Sequence, residues 1–394
     1  MTPPRFALNP LVTGTDAPPI PQAQGWKRDY DGARGPMIDL TQAVPGTPPP
    51  PELLARLAAA AGSVEATRYG PILGDGALRE AHAAETCQLY GGSVTAAHVA
   101  ITSGCNQAFV VAMLALARAG DAVILPAPWY FNHAMVLGML GIDTRRLAAR
   151  ADDGFVPDVA AAARLIDSRT RAIVLVSPNN PTGAVYPPEV IAAFLDLARR
   201  HRIALVLDET YRDFLPEGQD RAHELFTASD WHDTLIQLYS FSKAHAVPGH
   251  RLGAIVAGRT MIREVEKIQD CLQICPARAA QGVIAGAIDD QRGWRTAQRS
   301  ELAARARHFT AMLGRCPGWR IDSLGAYFAY VAHPFADADS VAAARRLALG
   351  AGVIGLPGSF FGPDQHTHLR LAFANVASSA LDDLPARLQA LAGG

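Results

Sequence analysis

Three largely apolar runs separated by longer segments constrain the fold of this chain more than any other feature of its sequence. The runs are RAIVLV (171–176), IALVL (203–207) and TLIQLY (234–239), and an amphipathic stretch (188–201) separates the first two. Strands that are apolar along their whole length are buried on both faces, as in parallel sheets covered by helices. The pattern therefore predicts an α/β fold with a mostly parallel central sheet.

Polar side chains follow each of these runs. In chain order they are Asn180, Asp208, Tyr211, Ser240, Ser242 and Lys243. Ligands of parallel α/β sheets bind outside the carboxyl ends of the strands, so we expect these residues to share one site. Taken singly, Asn180 is an ordinary turn former and Asp208 an ordinary helix cap, but the whole set in chain order favours a site.

Lys243 is the candidate nucleophile of this site. Only three of the 36 basic residues are lysines (Lys27, Lys243 and Lys267), and a lysine amine, unlike an arginine, can lose its proton and attack a carbonyl. The hydroxyls of Ser240 and Ser242 and the guanidinium of Arg251, close by in sequence, are groups that bind phosphate. An aldehyde that carries a phosphate matches this set, and pyridoxal 5'-phosphate (PLP) is such a molecule.

The chemistry of PLP explains the other residue types. Its ring accepts electrons while the ring nitrogen is protonated, which requires a neighbouring carboxylate, and Asp208 is the predicted partner. Asn180 and Tyr211 supply an amide N–H and a hydroxyl for the ring oxygen. An aromatic side chain, Trp129 or Tyr130, would stack on the ring.

Two more groups complete the predicted site. Gly104, Cys105 and Asn106 stand where an apolar helix is predicted to begin, and a helix N-terminus binds phosphate. Arg370, far along the chain in HLRLAFAN, would hold the α-carboxylate of a substrate with two parallel hydrogen bonds.

The length of 394 residues exceeds what one core usually supports and predicts two domains. We expect an arm at 1–48 that packs with the small domain, a large domain at 49–290 and a smaller α+β domain at 291–394. The arm is rich in Pro and Gly, which predicts an extended conformation rather than a helical one.

Composition argues against several classes of protein. The net charge of −1 does not fit a nucleic-acid-binding protein, and no apolar stretch approaches the length of a membrane span. Five scattered cysteines predict a reducing compartment, without a disulfide framework or a metal site. The N-terminal residues lack the pattern of a signal peptide, so the expected location is cytoplasmic.

From about residue 36 onward the sequence resembles the class I/II aminotransferases, which are fold-type I PLP-dependent enzymes. The resemblance rests on RYGPILGDGALREA, TSGCNQA, PAPWYFNH, SPNNPTG, DETY, SFSKAHAVPGHRLG and HLRLAFAN. It implies a fold with a mostly parallel sheet in a large domain plus a smaller α+β domain.

The resemblance also implies a role for each matching residue. Lys243 would be the Schiff-base lysine and proton carrier, and Asp208, Tyr211 and Asn180 would bind the ring. The phosphate would be bound by Gly104, Cys105, Asn106, Ser240, Ser242 and Arg251. Arg370 would bind the substrate carboxylate.

Further roles follow from the same resemblance. Tyr130 is preferred over Trp129 as the stacking residue, and His133 would support Asp208. Tyr69 would reach the phosphate of a neighbouring subunit, which implies a homodimer with shared active sites. Ala43 stands where the family often has a glycine that contacts the substrate carboxylate. Arg278 either borders the partner's site or is a solvated helix residue.

The expected function is transfer of an amino group from an L-amino acid, with neutral or aromatic donors favoured, to a 2-oxo acid by a ping-pong Schiff-base mechanism. A C–S or β-lyase on the same fold is an alternative, because both reactions begin with loss of the Cα proton. A PLP-sensing regulatory domain is another, although the Pro-rich N-terminal segment does not suit a DNA-binding module.

Overall fold

The computed structural model describes residues 6–391. Within them lie thirteen strands: β1 (Ile38–Asp39), β2 (Val99–Thr102), β3 (Ala122–Ala127), β4 (Asp143–Ala148), β5 (Thr170–Val176), β6 (Ala204–Asp208), β7 (Leu235–Ser240), β8 (Gly253–Val256), β9 (Arg320–Gly325), β10 (Phe328–Ala332), β11 (Val353–Ile354), β12 (Leu356–Pro357) and β13 (His368–Ala372).

The α-helices of the same region number fifteen: α1 (Pro10–Thr13), α2 (Ile20–Asp29), α3 (Pro51–Ala61), α4 (Gly76–Tyr90), α5 (Cys105–Leu116), α6 (Phe131–Met139), α7 (Val159–Leu165), α8 (Pro188–His201), α9 (Phe241–Ala244), α10 (Arg259–Gln273), α11 (Gln281–Asp290), α12 (Arg292–Leu313), α13 (Ser340–Ala351), α14 (Ser378–Leu381) and α15 (Leu384–Gln389). Between residues 6 and 391, none of them combines the length and apolarity needed to cross a bilayer.

A seven-stranded sheet forms the larger part of the fold. Its order is β2-β8-β7-β6-β5-β3-β4, with parallel pairing from β7 through to β4. β8 runs antiparallel to both of its neighbours. The three apolar runs are β5, β6 and β7, and apolar clusters with helices cover both faces of the sheet. The prediction of a mostly parallel central sheet is confirmed.

A second, antiparallel sheet has the order β12-β13-β10-β9. It shares one apolar core with α12, α13 and residues of the N-terminal segment, including Ile38 and Leu40. β1 also pairs in parallel with β11. The core also includes Tyr211 and Phe214 of the segment after β6. The division into an arm at 1–48, a large domain at 49–290 and a small domain at 291–394 stays a prediction, and residues 1–5 and 392–394 lie outside the described region.

The prediction that the arm is extended throughout is wrong. α2 is a regular helix of ten residues, and its prolines stand at the N-cap (Pro19) and in the first turn (Pro21). Proline is tolerated at those positions because the first N–H groups of a helix have no intrahelical partner. Ala23 and Trp26 are buried in the core that includes α13. A high proline content alone favours an extended arm, but prolines at the start of a helix are compatible with that helix.

The two sheets approach closely at a pair of glycines. Gly183 lies in the loop after β5 and has a φ of +77°. A Cβ atom on Gly183 would lie 2.4 Å from the backbone nitrogen of Gly325, at the end of β9. A Cβ on Gly325 would in turn lie 2.2 Å from the carbonyl oxygen of Gly183. Only glycine, which has no side chain, permits this approach. Gly183 stands three residues after Asn180 in the sequence.

Gly183→Ala should therefore destabilise the protein more than a glycine substitution in open space. The matched control is Gly154→Ala, because Gly154 also has a positive φ (+59°) but nothing within 4 Å of its Cβ position. Both variants carry the backbone strain, and only Gly183→Ala adds overlap. We expect an additional loss of about 1–3 kcal/mol in the free energy of unfolding, measured by urea denaturation. Equal losses in both variants would contradict the close contact.

Candidate active site

One cavity of about 370 Å³ lies at the carboxyl ends of the central strands. It is lined by residues from the arm, from helix N-termini, from strand ends and from the small sheet. Those that the sequence predicts for the site are Ala43, Cys105, Asn106, Tyr130, Asn180, Asp208, Tyr211, Ser240, Ser242, Lys243, Arg251 and Arg370. Positions more than 300 residues apart in sequence therefore meet in one space.

One end of the cavity is rich in hydrogen-bond donors. Gly104 is the N-cap of α5, with a φ of +84°, and a Cβ there would lie 2.2 Å from Nη2 of Arg251. The guanidinium thus packs directly on the backbone of this turn. The Oγ of Ser242 is buried without a hydrogen-bond partner, and Ser240 Oγ accepts from the Ser242 amide at 3.3 Å. A helix N-terminus with a guanidinium and hydroxyls suits a dianionic group.

Lys243 lies just beyond this end, in the short helix α9. Its Nζ donates a hydrogen bond to the carbonyl oxygen of Ala43 in the arm. Burial, together with the positive charges of Arg251 and Arg370, lowers the pKa of the Lys243 amine to about 8. A neutral amine is therefore available near neutral pH, as nucleophilic attack on a carbonyl requires.

Asp208, the last residue of β6, is buried. His133 Nε2 lies 3.3 Å from Oδ2, and the backbone N–H of Thr210 donates to Oδ1 at 2.9 Å. Burial opposes ionisation, but the interactions with His133 and Thr210 keep the pKa of Asp208 below its ordinary value. The His133 ring is itself stacked on Phe109, with 3.9 Å between centroids. The site therefore contains a fixed, ionised carboxylate.

Arg370, on β13, is buried and lines the cavity. Its Nη1 donates to Asn180 Oδ1 at 2.9 Å and its Nη2 to the carbonyl oxygen of Thr41. The guanidinium carbon lies 5.0 Å from the ring centroids of both Phe328 and Phe361. Burial lowers the pKa of Arg370 to about 10, so the group stays charged at neutral pH, and its Nε has no partner. These donors suit a carboxylate.

The two aromatic candidates differ in position. Tyr130 lines the cavity, its hydroxyl donates to Asn106 Oδ1 at 3.3 Å, and burial raises its pKa to about 12. Trp129 does not line the cavity and instead packs against Gly362. The structure therefore excludes Trp129 from this wall and leaves Tyr130 as the aromatic residue beside the cavity.

Tyr69 and Arg278 lie away from the cavity. Tyr69 is 77% exposed and is not among the residues that line this chain's cavity. Arg278 pairs with Glu65 and, at 3.2 Å, with Asp75. Arg278 is therefore held by carboxylates of its own chain, and any contribution of either residue to a second subunit stays a prediction.

Sequence reasoning missed the apolar wall of the cavity. Pro18, Ile20, Val44, Phe131 and Val176 contribute to it. Only Phe131, next to Tyr130 in PAPWYFNH, carried a signal that could have marked it. Thr210, within the DETY motif, was likewise available from the sequence and was not singled out.

Comparison with known proteins identifies the family. A sequence model of the family described as aminotransferase class I and II matches residues 35–388. The chain is 30% identical over 342 residues to the aspartate/prephenate aminotransferase of Thermus thermophilus, which covers 86% of this chain and 87% of the relative. It is 26% identical over 389 residues to an aromatic aminotransferase of Arabidopsis thaliana, covering 97% of this chain and 95% of the relative.

A solved structure gives the same answer. The structure of a single mutant of Thermus thermophilus aspartate aminotransferase superposes with a TM-score of 0.90 at 28% identity, covering 98% of this chain and 100% of that chain. The predicted fold-type I architecture is confirmed. Because the family match extends over most of the chain, the chain belongs to the class I and II aminotransferases, a family of PLP-dependent enzymes, and is an aminotransferase of amino acids.

Proposed function

We propose that this enzyme transfers the amino group of a neutral or aromatic L-amino acid to a 2-oxo acid, with PLP held in the cavity around Lys243. One observation carries the proposal: a lysine with a lowered pKa, a buried ionised carboxylate and a buried guanidinium with a free N–H line the same cavity. These groups supply a nucleophile, a partner for a ring nitrogen and a carboxylate site.

The residues of the cavity fit PLP. The buried Ser242 hydroxyl has no hydrogen-bond partner, a feature that a bound phosphate would explain, and the Arg251 guanidinium, packed on the turn at Gly104, lies close by. We assign the phosphate to Gly104, Cys105, Asn106, Ser240, Ser242 and Arg251. We assign the ring nitrogen to Asp208, the ring oxygen to Asn180 and Tyr211, and the ring face to Tyr130.

When bound, PLP supplies an aldehyde that takes up the amino group and a ring that withdraws electrons. The neutral Nζ of Lys243 accepts the proton from Cα of the amino acid. Asp208, held ionised by His133 and Thr210, retains a proton on the ring nitrogen. Arg370 binds the α-carboxylate, and its guanidinium carbon lies 5.0 Å from the ring centroids of Phe328 and Phe361, which places the charge in a partly aromatic environment.

The charges of the cavity favour a neutral or aromatic donor. Among the described residues, the cations that line it are Lys243, Arg251 and Arg370, and each already has a proposed role. The remaining wall includes Ile20 and Phe131, which suit an apolar side chain. The similarity to an enzyme named aromatic aminotransferase supports this substrate class. Ala43 also lines the cavity and, compared with a glycine at that position, narrows it by one methyl group.

We infer that the enzyme is a homodimer with shared active sites. Val64 and Tyr69 are 69% and 77% exposed, and Leu272 and Ile274 are 49% and 45% exposed. The two segments are adjacent, because the Gly70 N–H donates to Cys275 Sγ at 3.3 Å. Exposed apolar side chains on one face are typical of a protein–protein interface, from which Tyr69 would reach the partner's phosphate site.

The location that we propose is cytoplasmic. It is supported by the cysteines Cys87, Cys105, Cys271, Cys275 and Cys316, all of which are free in the structure. Free thiols of this number suit a reducing compartment.

The substrate class is tested by absorbance of the PLP-loaded enzyme while single amino acids are added without an oxo acid. Phenylalanine, tyrosine or a branched aliphatic amino acid is expected to convert the visible band to a near-ultraviolet one, and 2-oxoglutarate should restore it. Aspartate serves as the comparison, since this chain places no cation in the described cavity beyond Lys243, Arg251 and Arg370 to pair with a second carboxylate. Preferential conversion by aspartate would refute the substrate class, and accumulation of pyruvate with a persistent band would indicate a lyase.

Lys243→Ala should abolish catalysis while leaving the protein folded. Removing the amine eliminates both the bond to the cofactor aldehyde and the acceptor of the Cα proton, so turnover should fall by about 100- to 10,000-fold or more. Bound PLP should then absorb like a free aldehyde. The matched control is Lys267→Ala, because Lys267 is an exposed lysine paired only with Glu264. Activity of Lys243→Ala equal to that of Lys267→Ala would exclude Lys243 from the chemistry.

The reactivity of Lys243 in the apoenzyme should titrate with a midpoint near pH 8. Its pKa of about 8 means that the amine becomes neutral, and therefore reactive, as the pH rises through that value. An amine-reactive acylating reagent, followed by mass spectrometry of the peptide that contains Lys243, measures the rate at each pH. Arg251→Met should move the midpoint upward because it removes a nearby positive charge. A midpoint near the ordinary lysine pKa of about 10.4 in both proteins would contradict the prediction.

A further inference from the structure

A buried group of charged residues lies behind the cavity and belongs to the same segment as the cofactor residues. In DETYRD (208–213), Asp208, Thr210 and Tyr211 line the cavity. Glu209 and Arg212 do not line it; both are nearly inaccessible to solvent, with exposures of 1% and 4%. The segment therefore presents one set of side chains to the cofactor and a second, charged set to the interior.

Arg212 is at the centre of the interior set. Its Nη2 donates to Oε2 of Glu85, on α4, at 3.0 Å, and its guanidinium carbon lies 3.9 Å from the centroid of the Tyr239 ring. Burial opposes the ionisation of Glu85, but Arg212 and Arg295 keep the pKa of that carboxyl below its ordinary value. The ion pair is therefore charged although both partners are buried.

The contacts of Arg212 extend to the strand that precedes Lys243. Tyr239 lies in β7, directly before Ser240, and its hydroxyl donates to Asp213 Oδ2 at 2.8 Å. Arg295 Nη1 bridges Glu85 at 2.7 Å and Asp213 at 3.0 Å. The turn that carries Asp208 and the strand that leads to Lys243 are thus joined through a single buried network.

A second set of contacts joins the same two segments. Glu209 accepts hydrogen bonds from Gln237 of β7 and, at 2.9 Å, from Tyr90 of α4. Its Oε1 lies 3.3 Å from His223 Nε2. Parallel main-chain pairing of β6 and β7 ends at Asp208 opposite Leu238, and one more main-chain bond follows it, from the Glu209 N–H to the Leu238 carbonyl oxygen at 2.9 Å. Beyond that bond, side-chain contacts such as that of Asp213 with Tyr239 connect the two segments.

Charge in this region is costly for the stability of the fold. Taking an ion pair out of water costs several kcal/mol per ion, and apolar side chains of similar volume often fill such a space as well or better. A gain in stability does not by itself account for these charges, whose contacts connect the turn with the strand. Asp208 and Tyr211 bind the cofactor from the turn, and Ser240, Ser242 and Lys243 bind it from the strand.

We propose that Arg212 is a positioning residue for the reaction. Through Glu85 and the Tyr239 ring, it sets the position of Asp208 and Tyr211 relative to Lys243. One cofactor ring can then contact the binding residues of both segments at the same time. The proposal rests on the function proposed above. It assigns no contact between Arg212 and the cofactor or the substrate.

The test compares Arg212→Met with a matched control, Arg145→Met. Arg145 is a largely buried arginine on the edge strand β4, paired with Asp167 at 2.5 Å and remote from the network. Three quantities are measured for each variant: the Tm of the apoenzyme, the Kd of the apoenzyme for PLP from quenching of protein fluorescence, and kcat and KM of the loaded enzyme. Arg212→Met should weaken PLP binding about ten-fold and lower kcat by roughly 10- to 100-fold, with little change in the donor KM.

A purely structural role would give a different result. In that case Arg212→Met would lower Tm, but its PLP affinity and its kcat would stay within about two-fold of the values for Arg145→Met. That result would overturn the proposal. Arg212→Lys should restore part of the PLP affinity because it keeps a charge opposite Glu85. If Arg212→Met does not fold, Glu85→Gln removes the opposite charge at constant volume and is read by the same criteria. Failure of the unaltered chain to bind PLP would instead refute the proposed function.

Discussion

Parallel pairing of β5, β6 and β7 is the constraint on which the rest of the site depends. Val176 lies opposite Asp208, and Asp208 lies opposite Leu238, so neighbouring strands end at nearly the same level. Because all three strands run in one direction, the residues that follow them meet at one edge of the sheet. Main-chain pairing of the strands therefore brings Asn180, Asp208 and Lys243 to the same edge of the sheet, independently of contacts between their side chains.

The position of Arg370 depends on contacts between segments that are distant in the sequence. Its hydrogen-bond partners come from the loop after β5 (Asn180) and from the arm (Thr41), while the arginine itself belongs to the small sheet. Docking of three distant chain segments thus fixes one guanidinium. A buried guanidinium needs such partners, since an unpaired buried charge costs several kcal/mol. The proposed carboxylate site consequently depends on the arm and on both sheets.

The sequence was sufficient to predict those parts of the site that follow from local pattern. The apolar runs predict the sheet, and all six polar residues named at their ends line the cavity, because strand direction brings those positions together. Arg370 follows none of these runs, and its place in the cavity depends on how the small sheet docks against the arm and the central sheet. Helix α2 was missed because the effect of a proline depends on its position in the helix.

Other features depend on tertiary packing that no local pattern reports. Ile20 and Val44 reach the cavity only because the arm docks against it. Likewise, Glu85 and Arg212 are 127 positions apart and look like ordinary surface charges in the sequence. Their burial follows from the packing of α4 against the segment after β6, which a reading of charge and hydrophobicity along the chain does not contain.

The hydrogen bond from Lys243 to the carbonyl oxygen of Ala43 has a consequence for how such an enzyme can diversify. The acceptor is a main-chain atom, so its position depends on how the arm docks and not on which side chain stands at position 43. Mutation at that position can enlarge or narrow the cavity and still leave the lysine its partner. Mutation at position 43 can therefore change the range of substrates, while the hydrogen bond between the arm and the reactive amine is kept.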